Sequence, residues 1–265
     1  MLRSERTPMA PDDRTQGTDG TRSPTEELSQ LFLTASEEQL RSLLDRPSLD
    51  ETHILLLLER KDLTTLILAE IAKKKALMSS YRIRRAMAMH PRAPRLAAQR
   101  ALRDLHLMDL VRLSLLPSAA AELKRMAEER ILTQLLHLPL GQRITLARRG
   151  SARVAAGLIQ QGPDQVARIA LDNPFLNEAQ LLKTLSRDSL PAGIVSCVAR
   201  HEKWPKFAQV RVALLRHPHL SPEHAPHLAS DLPRGDLEDL LGLARLSESV
   251  RSHLRAALQD RQTQK

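Results

Sequence analysis

The stretch VRVALLRHP, residues 210–218, is a second copy of an earlier stretch, IRRAMAMHP, at residues 83–91. In both copies apolar residues at helical spacing lead into a histidine and a proline, a pattern that predicts a helix ending in a turn. The match continues at the same spacing with DLPRGDL at residues 231–237 and DLHLMDL at residues 104–110. We therefore predict an internal repeat whose joint is the polar residue before proline.

Two further prolines carry the same joint: LLDRPSLDE surrounds Pro47, and IALDNPFLNEAQLL surrounds Pro174. Pro47 and Pro91 are about 44 residues apart, as are Pro174 and Pro218, and we expect an intervening copy that lacks the proline. The predicted unit is a pair of helices of about 42 residues. Because a helix pair cannot bury its apolar stripe alone, such units stack, and we predict an all-α fold built as an α-solenoid.

The joint VRVALLRHPHLSPE and its copies resemble the HEAT-like and leucine-rich-repeat-variant families of bacterial helical-repeat proteins, over roughly residues 40–260. The resemblance implies a HEAT-like superhelix of stacked helix pairs and a bacterial scaffold protein. Leucine-rich-repeat-variant proteins can carry a cysteine-ligated iron–sulfur cluster in front of the repeats. This chain has one cysteine, Cys197, so that feature is not expected here.

The composition also favours an all-helical chain. Hydrophobic residues make up 42% but aromatic residues only 2%, so the packing falls to leucine and alanine, which are strong helix formers. No stretch alternates apolar and polar residues for long enough to predict a strand. Residues 1–24 have few apolar side chains to bury, and we expect a disordered tail there. Residues 25–262 are expected to form a single helical-repeat domain.

The short aliphatic runs and the single cysteine bear on the cell compartment and on cofactors. The longest wholly aliphatic run, Ile54 to Leu58, is too short to cross a bilayer, and the N-terminal residues lack the apolar core of a signal peptide. A single cysteine excludes an intramolecular disulfide and a cysteine-built metal centre, which is typical of a reducing compartment. We expect a cytoplasmic protein with no membrane span and no cofactor.

The positive charge is unevenly distributed along the chain. The formal net charge is +9, and residues 71–103 contain ten basic residues and no Asp or Glu. Residues 142–163 form a second acid-free interval with four arginines. Stacked units could join these intervals, and the repeat-equivalent Arg211, into a basic ridge. The candidate binding residues are Lys73, Lys74, Lys75, Arg82, Arg84, Arg85, Arg92, Arg95, Arg148, Arg149 and Arg211.

The basic intervals permit more than one function. A basic ridge suits contacts to phosphate, which give affinity without reading sequence. Scarce aromatic side chains argue against base stacking, and a solvated arginine-rich face is the plainer alternative. We therefore expect a non-enzymatic scaffold that binds another protein. Binding of nucleic acid or another polyanion through residues 71–103 and 142–163 is the alternative.

The segment ALLRHPHLSPEHAPHL, residues 213–228, holds four histidines and raises the alternative of a metal site. His224 and His227 are three residues apart on a helix expected to start at Ser221, so they would share one face. His217, however, occupies the joint position of the repeat, which in the other copies is filled by His90, Asn173 and Arg46. We predict turn and helix-end roles for these histidines and no metal site. The roles of His224 and His227 stay open.

No motif of a known catalytic class occurs in the chain. The patterns HExxH, GxGxxG, GxxxxGK[ST] and GxSxG are all absent. Cys197 and His201 are four residues apart, the spacing of a thiol and an imidazole on one helix face. No orienting group accompanies them, and a core cysteine is the plainer interpretation. Trp204 is expected at a helix start, packed beside Phe207. We expect no catalytic residue.

Overall fold

The computed structural model describes residues 34–46, 49–243 and 246–263. Within these residues the chain forms seventeen α-helices and no strand, which confirms the all-α prediction. No helix among them is both long and apolar enough to cross a membrane. The tail expected at residues 1–24 lies outside the described residues, as do residues 25–33 at the start of the expected domain.

Short polar side chains start four of the eight helices in the first half of the described chain. Ser36 and Gln39 form a capping box, in which each side chain accepts a hydrogen bond from the backbone N–H of the other residue. Asp50, Thr64 and Ser80 cap the next helices in the same way. The helices are α1 Glu37–Leu44, α2 Glu51–Glu59, α3 Thr65–Lys73, α4 Lys75–Met78, α5 Tyr81–Met89, α6 Arg95–Arg103, α7 Leu107–Leu115 and α8 Ala121–Gln134.

Prolines stand at the start of several helices in the second half, where a missing N–H costs nothing. Pro139, Pro163 and Pro191 precede helices, while Ser151 and Asn177 start others as capping side chains. Single turns of 3₁₀ helix cover Leu135–His137, Trp204–Lys206 and Pro222–His224. The α-helices are α9 Leu140–Arg149, α10 Ala152–Gln161, α11 Asp164–Leu171, α12 Glu178–Leu185, α13 Ala192–Ala199, α14 Ala208–Arg216, α15 Ala225–Ser230, α16 Arg234–Leu241 and α17 Glu248–Thr263.

Contacts between alternate helices divide the fold into two rows, with the one-turn helix α4 as an insertion. Row A consists of α2, α5, α7, α9, α11, α13, α15 and α17, and row B of α1, α3, α6, α8, α10, α12, α14 and α16. In row A, α5 contacts α2 and α7, α11 contacts α9 and α13, and α17 contacts α15. In row B, α1 contacts α3, and contacts run from α6 through α8, α10, α12 and α14 to α16. Helices consecutive in sequence also pack, for example α5 on α6 and α7 on α8.

The contacts of the joint residues span fewer residues than the predicted unit of about 42. The rings of His90 and His217 each contact a carbonyl oxygen 30 residues earlier, and the amide of Asn173 donates to carbonyl oxygens 26 and 23 residues earlier. Three helices, α12 to α14, lie between Pro174 and Pro218, so the proline motif returns after one and a half helix pairs. Because helix ends in both rows use the same joint, an alignment on proline passes from one row to the other.

The buried apolar residues form two clusters rather than one. The first extends from Ala35 to Met87 and the second from Ala88 to Leu254. Met78 and Ala93 are partly buried and pack against both clusters. The boundary falls at α5, between Met87 and Ala88. We call this boundary the core seam.

Candidate functional site

Carboxylates from outside the acid-free segment 71–103 lie close to its basic side chains in the fold. Six of its ten cations form ion pairs, all with carboxylates outside the segment, and five of these carboxylates lie on a different helix or turn from the cation. Such pairing leaves less uncompensated charge for a phosphate than the sequence suggests. The pairs are Lys73–Glu70, Lys74–Asp45, Arg82–Glu51, Arg84–Asp104, Arg85–Asp109 and Arg95–Glu122.

Arg84 and Arg211, which the repeat predicts to be equivalent, have matching partners. The guanidinium of Arg84 lies 3.6 Å from Asp104, and that of Arg211 lies 3.5 Å from Asp231. In each case the aspartate is the residue that ends the following helix. Arg84 also donates to the carbonyl of Met78 at 2.9 Å. Both arginines tie the two helices of a pair together, and their guanidinium groups have little exposed surface.

The other predicted basic residues lie on several different elements. Arg92 follows α5 and donates to the carbonyl of Asp62 at 3.0 Å, while Lys75 is exposed on α4. Arg148 and Arg149 are exposed on the last turn of α9. Arg82 and Arg85 line a groove of about 480 Å³ beside α2. Lys73 and Arg84 line a second groove, between α3 and α6.

A groove of about 420 Å³ separates α3 from α6 at the core seam. We call it the α3/α6 groove. Small side chains form much of its lining, which leaves room between the two helices. Leu96 on its edge has 67% of its surface exposed, and Leu66, one turn before Ala69 on α3, has 60%. The lining residues are Ala69, Ala72, Lys73, Met78, Arg84, Pro94, Leu96, Ala97, Arg100, Ala101 and Asp104.

The charged residues of the α3/α6 groove have an excess of positive charge. Lys73, Arg84 and Arg100 line it together with one carboxylate, that of Asp104, which is paired with Arg84. Lys73 reaches only Glu70 of its own helix, at 2.8 Å, and its side chain is 70% exposed. Such a surface pair contributes little free energy and exchanges easily with another carboxylate. Lys73 and Arg100 are therefore the cations available to a ligand in this groove.

The histidines before Pro91 and Pro218 form hydrogen bonds to parts of the chain 30 residues earlier. The His217 Nε2 lies 3.2 Å from the carbonyl oxygen of Arg187, and its Nδ1 accepts from the backbone N–H of His219 at 3.2 Å. His90 makes the same pair of contacts, to the carbonyl of Arg60 and from the N–H of Arg92. With Nδ1 as the acceptor, Nε2 is the ring nitrogen that donates to the earlier carbonyl oxygen. The predicted structural role of the joint position is confirmed.

An asparagine performs the same task at the third joint. The side-chain amide of Asn173 donates to the carbonyl of Ala147 at 2.8 Å, and its oxygen accepts from the N–H of Phe175 at 2.7 Å. Burial lowers the pKa of His217 below its ordinary value, because a charged ring is poorly solvated there. Asn173 shows that a neutral amide fulfils the geometry that the neutral histidine provides.

The histidine-rich segment is arranged differently from the predicted helix at Ser221. The α-helix begins at Ala225, after a 3₁₀ turn that contains His224, so His224 and His227 lie on different elements. The His224 ring lies 3.4 Å from Glu223, and His227 is exposed. Across the described residues, no group of three or more His, Cys, Asp or Glu side chains is placed to hold a metal ion.

The imidazole of His201 has both nitrogens engaged. Its Nε2 lies 3.1 Å from the carboxylate of Asp172, and its Nδ1 accepts from the backbone N–H of Lys203 at 3.1 Å. Neither nitrogen is left to take a proton from Cys197, which a nucleophilic thiol would need. Trp204 stands in a 3₁₀ turn with its ring 6.0 Å from that of Phe207, which confirms the predicted packing.

The α3/α6 groove was not predicted from the sequence, although one signal for it exists. Leu66 and Leu96 each stand second in their helices, TLILAEIAK and RLAAQRALR, outside the apolar stripe of buried residues. No family model, curated protein or solved structure matches this chain.

Proposed function

We propose that the chain is a non-enzymatic scaffold, an α-solenoid of stacked helix pairs that binds another protein. The contacts between alternate helices and the joints about 30 residues apart support the solenoid, since repeat proteins bury their core by contacts between neighbouring units. This spacing is shorter than the roughly 40–47 residues of HEAT repeats. We propose that the resemblance to HEAT-like and leucine-rich-repeat-variant proteins extends to the stacking of helix pairs and not to the length of the unit.

The observation that carries the binding function is the pair of exposed leucines beside the α3/α6 groove. Leu66 and Leu96 are 60% and 67% exposed, on neighbouring helices of row B, and the groove beside them is open. Burying a leucine that was exposed gains about 1.5–3 kcal/mol. Exposed apolar side chains that cluster at a groove are typical of protein-binding surfaces.

The ion pairs of segment 71–103 support a protein partner over a polyanion. Binding a nucleic acid depends on cations that release counterions from phosphates. Arg84 and Arg211 instead hold aspartates within the fold, and Lys74 both pairs with Asp45 and donates to the carbonyl of Leu44 at 2.7 Å. A ligand phosphate would have to displace these intramolecular partners.

Site-specific photocrosslinking tests the proposed function. The tagged full chain carries a photoreactive phenylalanine analogue in place of Leu96, or of Leu136 as the matched control, because Leu136 is 65% exposed on a 3₁₀ turn away from the groove. Irradiation in the source cells is expected to join one identifiable protein to position 96 and not to position 136. Recovery of nucleic acid without protein, or equal crosslinking at both positions, contradicts the proposal.

A further inference from the structure

We propose that the α3/α6 groove binds a short acidic, amphipathic segment of a partner protein, with apolar side chains against Leu66 and Leu96 and carboxylates against Lys73 and Arg100. This inference rests on the proposed function and adds the chemistry of the partner. The features that carry it are the exposed leucines, the cations of the groove and the small side chains between the two helices.

Leucine and cation follow one another in the same order on both helices. On α3, Leu66 precedes Lys73 by seven residues, which is about 10 Å along a helix. On α6, Leu96 precedes Arg100 by four residues, about 6 Å. The groove therefore has an apolar end and a cationic end within the length of a short peptide. A ligand that satisfies both ends carries apolar and acidic side chains about two helical turns apart.

The cationic end selects carboxylates. Lys73 and Arg100 are exposed, whereas the third cation, Arg84, is held by Asp104 and by backbone carbonyls. Lys73 and Arg100 thus present ammonium and guanidinium donors on opposite sides of the groove. Charge-assisted hydrogen bonds to these donors are roughly twice as strong as neutral ones. An acidic segment is favoured, and a basic one is repelled.

The small side chains explain why the groove occurs at this place in the stack. Ala69 and Ala72 face Ala97 and Ala101 across the groove, and the apolar clusters change at the same point. The groove beside α2 also has three cations and one carboxylate in its lining, Lys61, Arg82, Arg85 and Glu59, but none of the exposed leucines lines it. A groove of about 590 Å³ beside α11 and α13 carries charges of both signs, including Asp172, Glu202 and Arg200, and has no exposed leucine in its lining.

Fluorescence anisotropy with labelled synthetic peptides and the full chain tests the inference. The probe is a peptide of about twelve residues, long enough for three helical turns, with leucines in one half and glutamates in the other. One comparison peptide has serine for each leucine, and another has lysine for each glutamate. The acidic leucine peptide is expected to bind saturably. Each comparison peptide is expected to bind at least tenfold more weakly.

Matched substitutions locate the binding. Leu96→Ser and Arg100→Glu should each weaken binding of the acidic leucine peptide at least tenfold. Leu136→Ser and Arg149→Glu, at exposed positions outside the groove, should change it by less than twofold. All four positions are exposed, so the fold is kept, and far-ultraviolet circular dichroism verifies this. Arg100→Glu is also expected to improve binding of the lysine peptide, a gain that a damaged fold cannot produce.

Several outcomes would overturn the inference. Failure of the acidic leucine peptide to bind, equal losses in the control variants, or stronger binding of the lysine peptide to the unaltered chain each contradict it. A labelled single-stranded RNA that binds the chain and loses affinity with Arg100→Glu would assign the groove to nucleic acid. A protein crosslinked at position 96 together with no peptide binding would remove this inference and leave the proposed function intact.

Discussion

Trp204→Ala is expected to lower the free energy of unfolding by about 3–5 kcal/mol, the range for truncating a large buried aromatic side chain. Trp204 is fully buried in the larger apolar cluster. Its indole N–H donates to the carbonyl of Leu171 at 3.0 Å, across 33 residues of sequence. The side chain thereby joins the turn before α14 to the end of α11.

Trp204→Phe separates packing from hydrogen bonding. It keeps most of the apolar volume but leaves the carbonyl of Leu171 without its donor, which is expected to cost about 1–3 kcal/mol. Urea unfolding followed by circular dichroism measures both variants, since Trp204 is the only tryptophan and its fluorescence is lost. A loss below about 1 kcal/mol for Trp204→Ala would show that the stack does not depend on this contact.

His217→Ala is expected to cost about 1–3 kcal/mol, because it leaves the His219 N–H without its acceptor and removes one of the two donors to the Arg187 carbonyl, the other being the Leu190 N–H. His217→Asn should restore most of this stability, since Asn173 makes the equivalent two hydrogen bonds at its own joint. Urea unfolding at neutral pH compares the two variants. Equal losses for alanine and asparagine would contradict the assigned role of the joint.

The joint at His217 also predicts a dependence of stability on pH. The lowered pKa of His217 means that the folded chain binds this proton less readily than the unfolded chain does. Its contribution to stability is complete above the unfolded pKa of about 6.5 and is lost as the pH falls through the lower folded pKa. His219 and Asp188 also face the ring: His219 lowers its pKa further, and the carboxylate of Asp188 opposes the lowering. His217→Asn is expected to flatten the fall in stability below pH of about 6.5, and an unchanged profile would contradict this.

Local joints could be predicted from the sequence, because they depend on residues close together in the chain. The equivalence of Arg84 and Arg211 and the structural role of His217 follow from aligned segments, and their partners in the fold match. The number of residues between helices that contact each other through the joints could not be predicted in this way. The polar residue before proline predicts where a helix ends. It does not predict whether that helix belongs to row A or to row B.

The candidate site was only partly predictable for a related reason. A segment without Asp or Glu suggested a basic surface, but carboxylates such as Asp45, Asp109 and Glu122 reach it from other parts of the chain. The groove depends on alanines facing one another from α3 and α6, and an alanine in an amphipathic helix looks the same whether it faces a neighbour or a gap. Contacts across tens of residues decide both features.

Hydroxyl-radical footprinting of the full chain, alone and mixed with the purified partner protein that crosslinking at position 96 identifies, tests whether that partner binds at the α3/α6 groove. The bound partner is expected to lower the oxidation rates of Leu96 and Met78, which line the groove, and of Leu66 beside it. Leu136 and Phe175, exposed elsewhere, should keep their rates. Unchanged rates at Leu66 and Leu96, or protection confined to Leu136 and Phe175, would show that the partner does not bind at this groove.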